Sequence, residues 1–535
     1  MSKRTLRMLS IPLAILFLIQ TTAALSGDPS PQAAAAPQTE AAIAQSEERT
    51  ADQFTAPPPL GEVEEMPSLE VAALAVKFNY KPKDVEAQIN ALKNESKARE
   101  QAYSKRAKAA DQQVEAKERQ LSQLPTTKAD PAVVAQRQRI QCEIMKIKQG
   151  ITDEAYTFLQ GQIATDVKIA RLNLLGGWKA ANQQIERQIA SRTASQRRFG
   201  NVLDIGHRGS AKPFADQQRD VAIGEREVAN ARQRGQLPKA LQDGVVTDFV
   251  TKMAQRVAEN SDLQVPLHVY VVQQEVRKDG RPVLGMDRQP EQVANAMALP
   301  GGFIFVYAGL IMSAQNESEL AGVIAHEIGH VTARHSARMA SRANKFGIAQ
   351  MAGIIALSLF APGLFQAGSY LAYQLKGLLL QSIMNGLGLV FTINILGVSR
   401  DSELEADELG MQYAWKANYD PRGIITLFDW MATKSGYASR TSFFATHPAF
   451  GDRTLSALKE YKVLTSIDPN KKYITDTSQF EGIKERLKRE LHRSKEQIQK
   501  EEANRPSSKT GNEITLEGCA SILSSDSSAG VGSEN

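Results

Sequence analysis

In the stretch "VIAHEIGHVTARH" two histidines, His326 and His330, stand four residues apart with Glu327 directly after the first. On a helix, residues at i and i+4 share a face, so both imidazoles can present a nitrogen to one metal ion at about 2.0–2.1 Å. Glu327 is turned by about 100° from His326, toward the water that completes such a metal's shell, where a carboxylate can accept a proton. That is the chemistry of metal-assisted hydrolysis. Its competitor is a polar helix face with no ion.

Two places offer a further ligand. His335 follows closely, but the three-histidine pattern needs a six-residue step after His330 with a glycine inside it; here the step is five, with Ala333 in the glycine's place. On a continuous helix His335 points off the ligand face and reads as a surface residue or a support for the site. The segment "SRDSELEADELGMQYAWKA" (399–417) offers Glu403 and Asp407, again i and i+4. One of them can reach the ion while the other orients a ligand imidazole through its remaining N–H. Glu405 lies between them as a rival ligand.

These residues need rigid elements. The segment 316–342 reads as a helix, with Asn316 and Glu319 spaced like a capping box and an apolar stripe of Leu320, Val323, Ile324 and Ile328. "LHVYVV" (267–272) and "FIFVY" (303–307) read as buried strands. Phe303 to Tyr307 is a candidate sheet edge for holding an extended substrate. Upstream, residues 83–196 are dense in good helix formers and broken by "LPTTKADP" at 124–131; beyond the break Ile140, Ile144, Ile147, Ile151 and Phe158 recur mostly three or four apart. A long helical hairpin follows, serving as a spacer or as an arm for partners.

The 535 residues exceed one ordinary core. The expected order is a signal peptide over 1–26, a disordered linker over 27–60, a helical accessory region over 64–200 and a compact domain over 215–465. A charged C-terminal helix over 466–505 and a disordered tail over 506–535 complete it. Lys3, Arg4 and Arg7 before an apolar run and small residues have the layout of an export signal. Residues 346–399 carry a single charge, Lys376, but are interrupted by Pro362, glycines and glutamines. They read as an apolar helical hairpin inserted in the compact domain, either touching or crossing a membrane or covered by protein. The balance of 64 basic against 59 acidic residues gives no field that argues for nucleic acid. With only Cys142 and Cys519, no disulfide framework holds the fold, and a lone bridge or two thiols are the alternatives.

Several blocks in one order then carry a resemblance: "IGEREVA" (223–229), "NAMALPGGFIFVYAGLI" (295–311), "ELAGVIAHEIGHVTARH" (319–335), "SRDSELEADELGM" (399–411) and "THPAFGDR" (446–453). Over residues 215–465 the chain resembles the HtpX/BepA-like gluzincin zinc metalloendopeptidases of peptidase family M48. Met297 departs from the phenylalanine expected there, an apolar-for-apolar change. The resemblance implies a zincin-like metallopeptidase domain with a small sheet; with the helical hairpin region read before it from periodicity, the expected fold is α+β and mainly helical. It implies one Zn2+ per chain held by His326, His330 and Glu403, with Glu327 as base and Asp407 in support. His447 is implied to steady the oxyanion or close the site as an extra ligand, and Arg453 to support that region. The function it implies is an exported, periplasmic or cell-envelope endopeptidase acting on unfolded or misassembled proteins. A chaperone-like binder with a closed zinc site is the reading from another class.

Overall fold

The computed structural model describes residues 51–125, 130–194, 217–233, 237, 239–273, 294–335, 400–434, 450–503 and 519. The expected signal peptide, most of the expected linker, the expected apolar pair 346–399 and nearly all of the expected tail lie outside the described residues. The chain divides into two compact units, one of residues 1–48, 93–162 and 504–535 and the other of 49–92 and 163–503.

Short helices α1 (Leu60–Val63) and α2 (Ser68–Lys77) precede two long ones, α3 (Pro82–Gln123) and α4 (Pro131–Ala190). Each long helix opens on a proline, whose missing N–H costs nothing in a first turn. Asp130 accepts from the backbone N–H of Ala132 at 2.9 Å, starting α4 where the sequence breaks. The expected hairpin is therefore present. Its first-unit part is held by a narrow seam of Val114, Ile140 and Ile144, flanked by Leu121, Leu124 and Ile147, with Tyr103 stacked on Phe158 at 4.8 Å. Lys117–Glu143 at 2.5 Å and Arg106–Glu154 at 2.7 Å line it. Cys142 and Cys519 form a disulfide within this unit, which decides between the bridge and the thiols.

In the second unit the order continues with α5 (Gln217–Gln233), α6 (Gly244–Glu259), β1 (His268–Val272), β2 (Ala296–Leu299), β3 (Phe303–Tyr307), α7 (Ala308–Ser313) and α8 (Glu317–Thr332). After residues 336–399, which are not described, come α9 (Arg400–Lys416), α10 (Gly423–Lys434), α11 (Phe450–Ile467) and α12 (Ser478–Ala503). The sheet has the order β1-β3-β2, with β1 parallel and β2 antiparallel to β3. This corrects one expectation: the strand Phe303–Tyr307 is the central strand, paired on both sides, because its five residues are all buried and alternate with nothing polar. Beyond β1, the bridge of Ala240 to Val272 covers part of that edge.

Two boundaries also differ from the sequence reading. Residues 51–60, expected as linker, include a turn of 3-10 helix at Ala51–Gln53 with Ala51 buried and Phe54 against the core. The C-terminal helix begins at Ser478, not 466. Residues 468–477 are not helical: the N–H of Ile474 donates to the Asn418 carbonyl, and the Thr475 carbonyl accepts from Ser318. Although highly charged, α12 turns Phe480, Ile483 and Leu487 into the core, as an amphipathic helix does.

The centre of this unit is α8. Its start is fixed as the sequence implies: the Asn316 side chain accepts from the Glu319 N–H at 3.1 Å, while the Glu319 carboxylate accepts from the Gln315 N–H at 2.7 Å. All of its residues are buried, so it packs on every side, against α6, α9, α10 and β2.

Candidate metal centre

Two glycines let α8 and α9 approach closely. A Cβ at Gly410 would lie 2.8 Å from the His326 backbone nitrogen, and one at Gly329 would lie 3.0 Å from the Ala406 carbonyl oxygen. This contact draws carboxylates from one helix onto imidazoles of the other. Glu403 Oε1 lies 3.2 Å from His330 Nε2, and Glu403 Oε2 lies 3.6 Å from His326 Nε2. The ligand atoms of His326, His330 and Glu403 fall within 4.8 Å of one another, and all three side chains are buried.

The far sides of both imidazoles are engaged. His326 Nδ1 lies 2.9 Å from Asp407 Oδ1, and His330 Nδ1 lies 2.7 Å from His335 Nδ1. With the ring protons on Nδ1, both Nε2 lone pairs turn toward Glu403, 2.9 Å from each other. Two imidazole nitrogens and one carboxylate oxygen converging in this way are the donor set of a catalytic zinc with one coordination position left open. The residues fit the ion.

Arg453 closes the charge balance. Completely buried, it donates from Nε and Nη2 to the two Asp407 oxygens, each at 2.7 Å, and its Nη1 lies 2.9 Å from Glu403 Oε2. Its guanidinium sits over the Phe428 ring at 4.2 Å. Burial would raise the Asp407 carboxyl, but Arg453 and His326 beside it outweigh that and hold it below the usual carboxylate range. Burial, reinforced by the neighbouring His330, pulls His326 down to about 3, against the opposing pull of Asp407 and Glu403. The imidazole is thus neutral and able to ligate at any ordinary pH. Glu327 is also buried, 1% exposed.

Of the residues singled out in the sequence, His326, His330, Glu403, Asp407 and Arg453 come together, and Glu327 lies on the same helix. His447 is outside the described residues. Glu405 is not in the ligand group; its Oε2 lies 3.2 Å from His335 Nε2. His335 is 2% exposed and packs against His330, so the surface reading of it is overturned. The reason is a break in the helix. Helix α8 ends at Thr332 and Arg334 adopts φ 56°, so His335 turns back instead of continuing the helical rotation. Asp220 of α5 holds Arg334 with two bonds of 2.6 and 2.8 Å, which offsets part of the cost of a left-handed non-glycine residue. No glycine or asparagine marked that turn in the sequence.

Residues 250–462 match the model of Peptidase family M48. The chain is 28% identical over 247 residues to the beta-barrel assembly-enhancing protease of Yersinia pestis, covering 46% of this chain and 44% of that protein. It is 24% identical over 217 residues to the Escherichia coli protein of the same name, 40% and 38% of the two chains. To the mitochondrial metalloendopeptidase OMA1 of Schizosaccharomyces pombe it is 34% identical over 156 residues, 29% of this chain and 40% of that one. The match spans less than half the length of each of these relatives.

Proposed function

We propose, on the premise that residues 250–462 form an M48 metallopeptidase domain, that this chain is an exported zinc metalloendopeptidase acting on unfolded or misassembled proteins of the cell envelope. The observation that carries the chemistry is Glu403, whose carboxylate from a distant helix lies 3.2 and 3.6 Å from the two imidazoles. His326, His330 and Glu403 would hold one zinc ion, which supplies Lewis acidity that lowers the pKa of water and polarises a carbonyl. Glu327 accepts the proton of the attacking water and returns it to the leaving amine as the peptide bond breaks. Asp407 accepts from His326 Nδ1 and fixes that ring, and Arg453 fixes Asp407. His447 is assigned by resemblance alone to stabilising the oxyanion.

An extended substrate needs a free strand edge. Since β3 is central, the strand proposed for this is β2, which pairs on one side with β3 and packs against α8. That the bacterial relatives are named beta-barrel assembly-enhancing proteases supports a substrate class connected with protein assembly, and the layout of residues 1–26 supports export. Membrane contact is proposed through residues 346–399; among the described residues no helix is long and apolar enough to cross a membrane.

The test is metal content together with casein hydrolysis by the purified chain. Wild type is expected to carry one zinc per chain and to cleave. Glu327→Gln should keep the zinc and lose about 10²–10⁴ in kcat, and Glu403→Ala should lose the zinc as well. Zinc bound by a wild type that hydrolyses no casein would leave the chain as a binder, and hydrolysis unchanged in Glu327→Gln would remove Glu327 as the base.

A further inference from the structure

Among the described residues, the polar groups around the metal centre contain one arrangement that the peptidase mechanism does not use: the contact of His335 with both His330 and Glu405. We infer that His335 and Glu405 are positioning residues that fix the tautomer and ring orientation of His330 as a metal ligand, by a relay of two hydrogen bonds. The inference rests on the zinc reading above.

The argument is one of donors and acceptors. A neutral imidazole has one N–H and one lone pair. For His330 to offer the Nε2 lone pair to a metal, its proton must sit on Nδ1, which faces His335 Nδ1 at 2.7 Å. His335 Nδ1 must then accept, so the His335 proton sits on Nε2, and that atom faces Glu405 Oε2 at 3.2 Å. A carboxylate offers only acceptors, so the chain of bonds closes with every donor on an acceptor. Run in reverse, the His330 proton moves to Nε2, and His335 presents a lone pair to the Glu405 oxygen. Glu405 therefore sets the polarity of the relay. Both residues are buried, at 2% and 7% exposure, so water does not compete freely for these bonds. The centre is consequently asymmetric: His326 is braced directly by a carboxylate, and His330 through a second imidazole.

The geometry is built, not incidental to a helix face. The positive φ of Arg334, held by Asp220, brings His335 back onto His330. Groups that orient a metal-bound imidazole typically contribute about tenfold to a hundredfold in metal affinity.

The experiment measures zinc affinity of the full chain by competition with a chromophoric chelator, and the ligand-field spectrum of the cobalt-substituted protein. His335→Leu is expected to weaken zinc about tenfold to a hundredfold and to alter the cobalt spectrum. His335→Gln, whose amide offers one acceptor and one donor, should recover most of the affinity, which a loss of packing alone would not allow. Glu405→Leu should weaken zinc in the wild-type background and add nothing in the His335→Leu background. Thermal melting of the metal-free variants reports any general damage, and the coupling between the two substitutions stands apart from it. Wild-type zinc affinity and spectrum in His335→Leu, or full additivity of the two substitutions, overturns the relay. A wild-type chain that binds no zinc overturns the metal-centre reading itself.

Discussion

The tip of the α3–α4 hairpin and the contact of α8 with α9 are both helix pairs, but they are held by opposite means. In the hairpin a seam of Val114, Ile140 and Ile144 supplies the apolar contact, and charged pairs such as Arg106–Glu154 stay in water, their side chains 59% and 43% exposed. Between α8 and α9 the backbones approach through Gly329 and Gly410. Their charged residues, Glu403, Asp407 and the arginine of α11 that meets them, are fully buried. Burying charge is costly unless every member is partnered. A network of this kind stabilises a fold poorly for its size but fixes directions, and direction is what a ligand set requires. Where only two helices must lie side by side, a few branched side chains suffice.

This contrast makes the removal of one buried cation the most damaging change. Arg453→Met should cost about 3–5 kcal/mol, since it strands Glu403 and Asp407 in the core. Denaturant unfolding of the metal-free protein measures it, and a loss under 1 kcal/mol would place this pair with the exposed ones. Acid sharpens the same point. The His326 pKa is lowered on folding to about 3 from its ordinary 6.5, so between those values the unfolded chain binds the extra proton. Stability of the metal-free protein therefore falls as pH drops from about 6.5 toward 3. A His326→Gln variant should show a flatter melting profile across that window.

A smaller effect is expected from the backbone approach. Gly410→Ala would set a methyl group 2.8 Å from the His326 backbone nitrogen, forcing the helices apart by a few tenths of an ångström or more. Overpacking of this order costs about 1–3 kcal/mol. Because the strain falls on the element that carries a ligand, zinc affinity should drop along with the melting temperature. Loss of stability with unchanged zinc affinity would mean that the ligands are positioned independently of this contact.

What the sequence disclosed follows the same division. Periodicity predicted the hairpin and the histidine helix, because the 3.6-residue repeat is a local property. His326, His330 and Glu327 were legible from spacing alone. By spacing, Glu403 and Asp407 were legible only as alternatives, since which of them faces the imidazoles depends on how α9 docks, and it took the family resemblance to choose between them. The resemblance brought Arg453 to the region of the site, but its pairing with Asp407, 46 residues away in the chain, needed the fold. Two expectations differ from the structure for a shared reason: of the two readings of His335 the structure keeps the support for the site and not the surface residue on a continuing helix, and Phe303–Tyr307 is central, not a sheet edge. Both depend on contacts with partners distant in the chain, Asp220 in one case and the two flanking strands in the other.

The smallest predicted effect lies in the hairpin. Arg106 and Glu154 meet at 2.7 Å, as close as Arg453 and Asp407, so distance alone would rank the two pairs equally. Solvent decides otherwise. Around half-exposed side chains the high dielectric weakens the attraction, and holding two long side chains in one geometry costs entropy, leaving about 0–1 kcal/mol. A double-mutant cycle of Arg106→Ala with Glu154→Ala, read by denaturant unfolding, should give a coupling below about 1 kcal/mol that shrinks further in high salt. A coupling of 3 kcal/mol or more, insensitive to salt, would show that the hairpin is held by its charges after all, and the contrast between the two helix pairs would be lost.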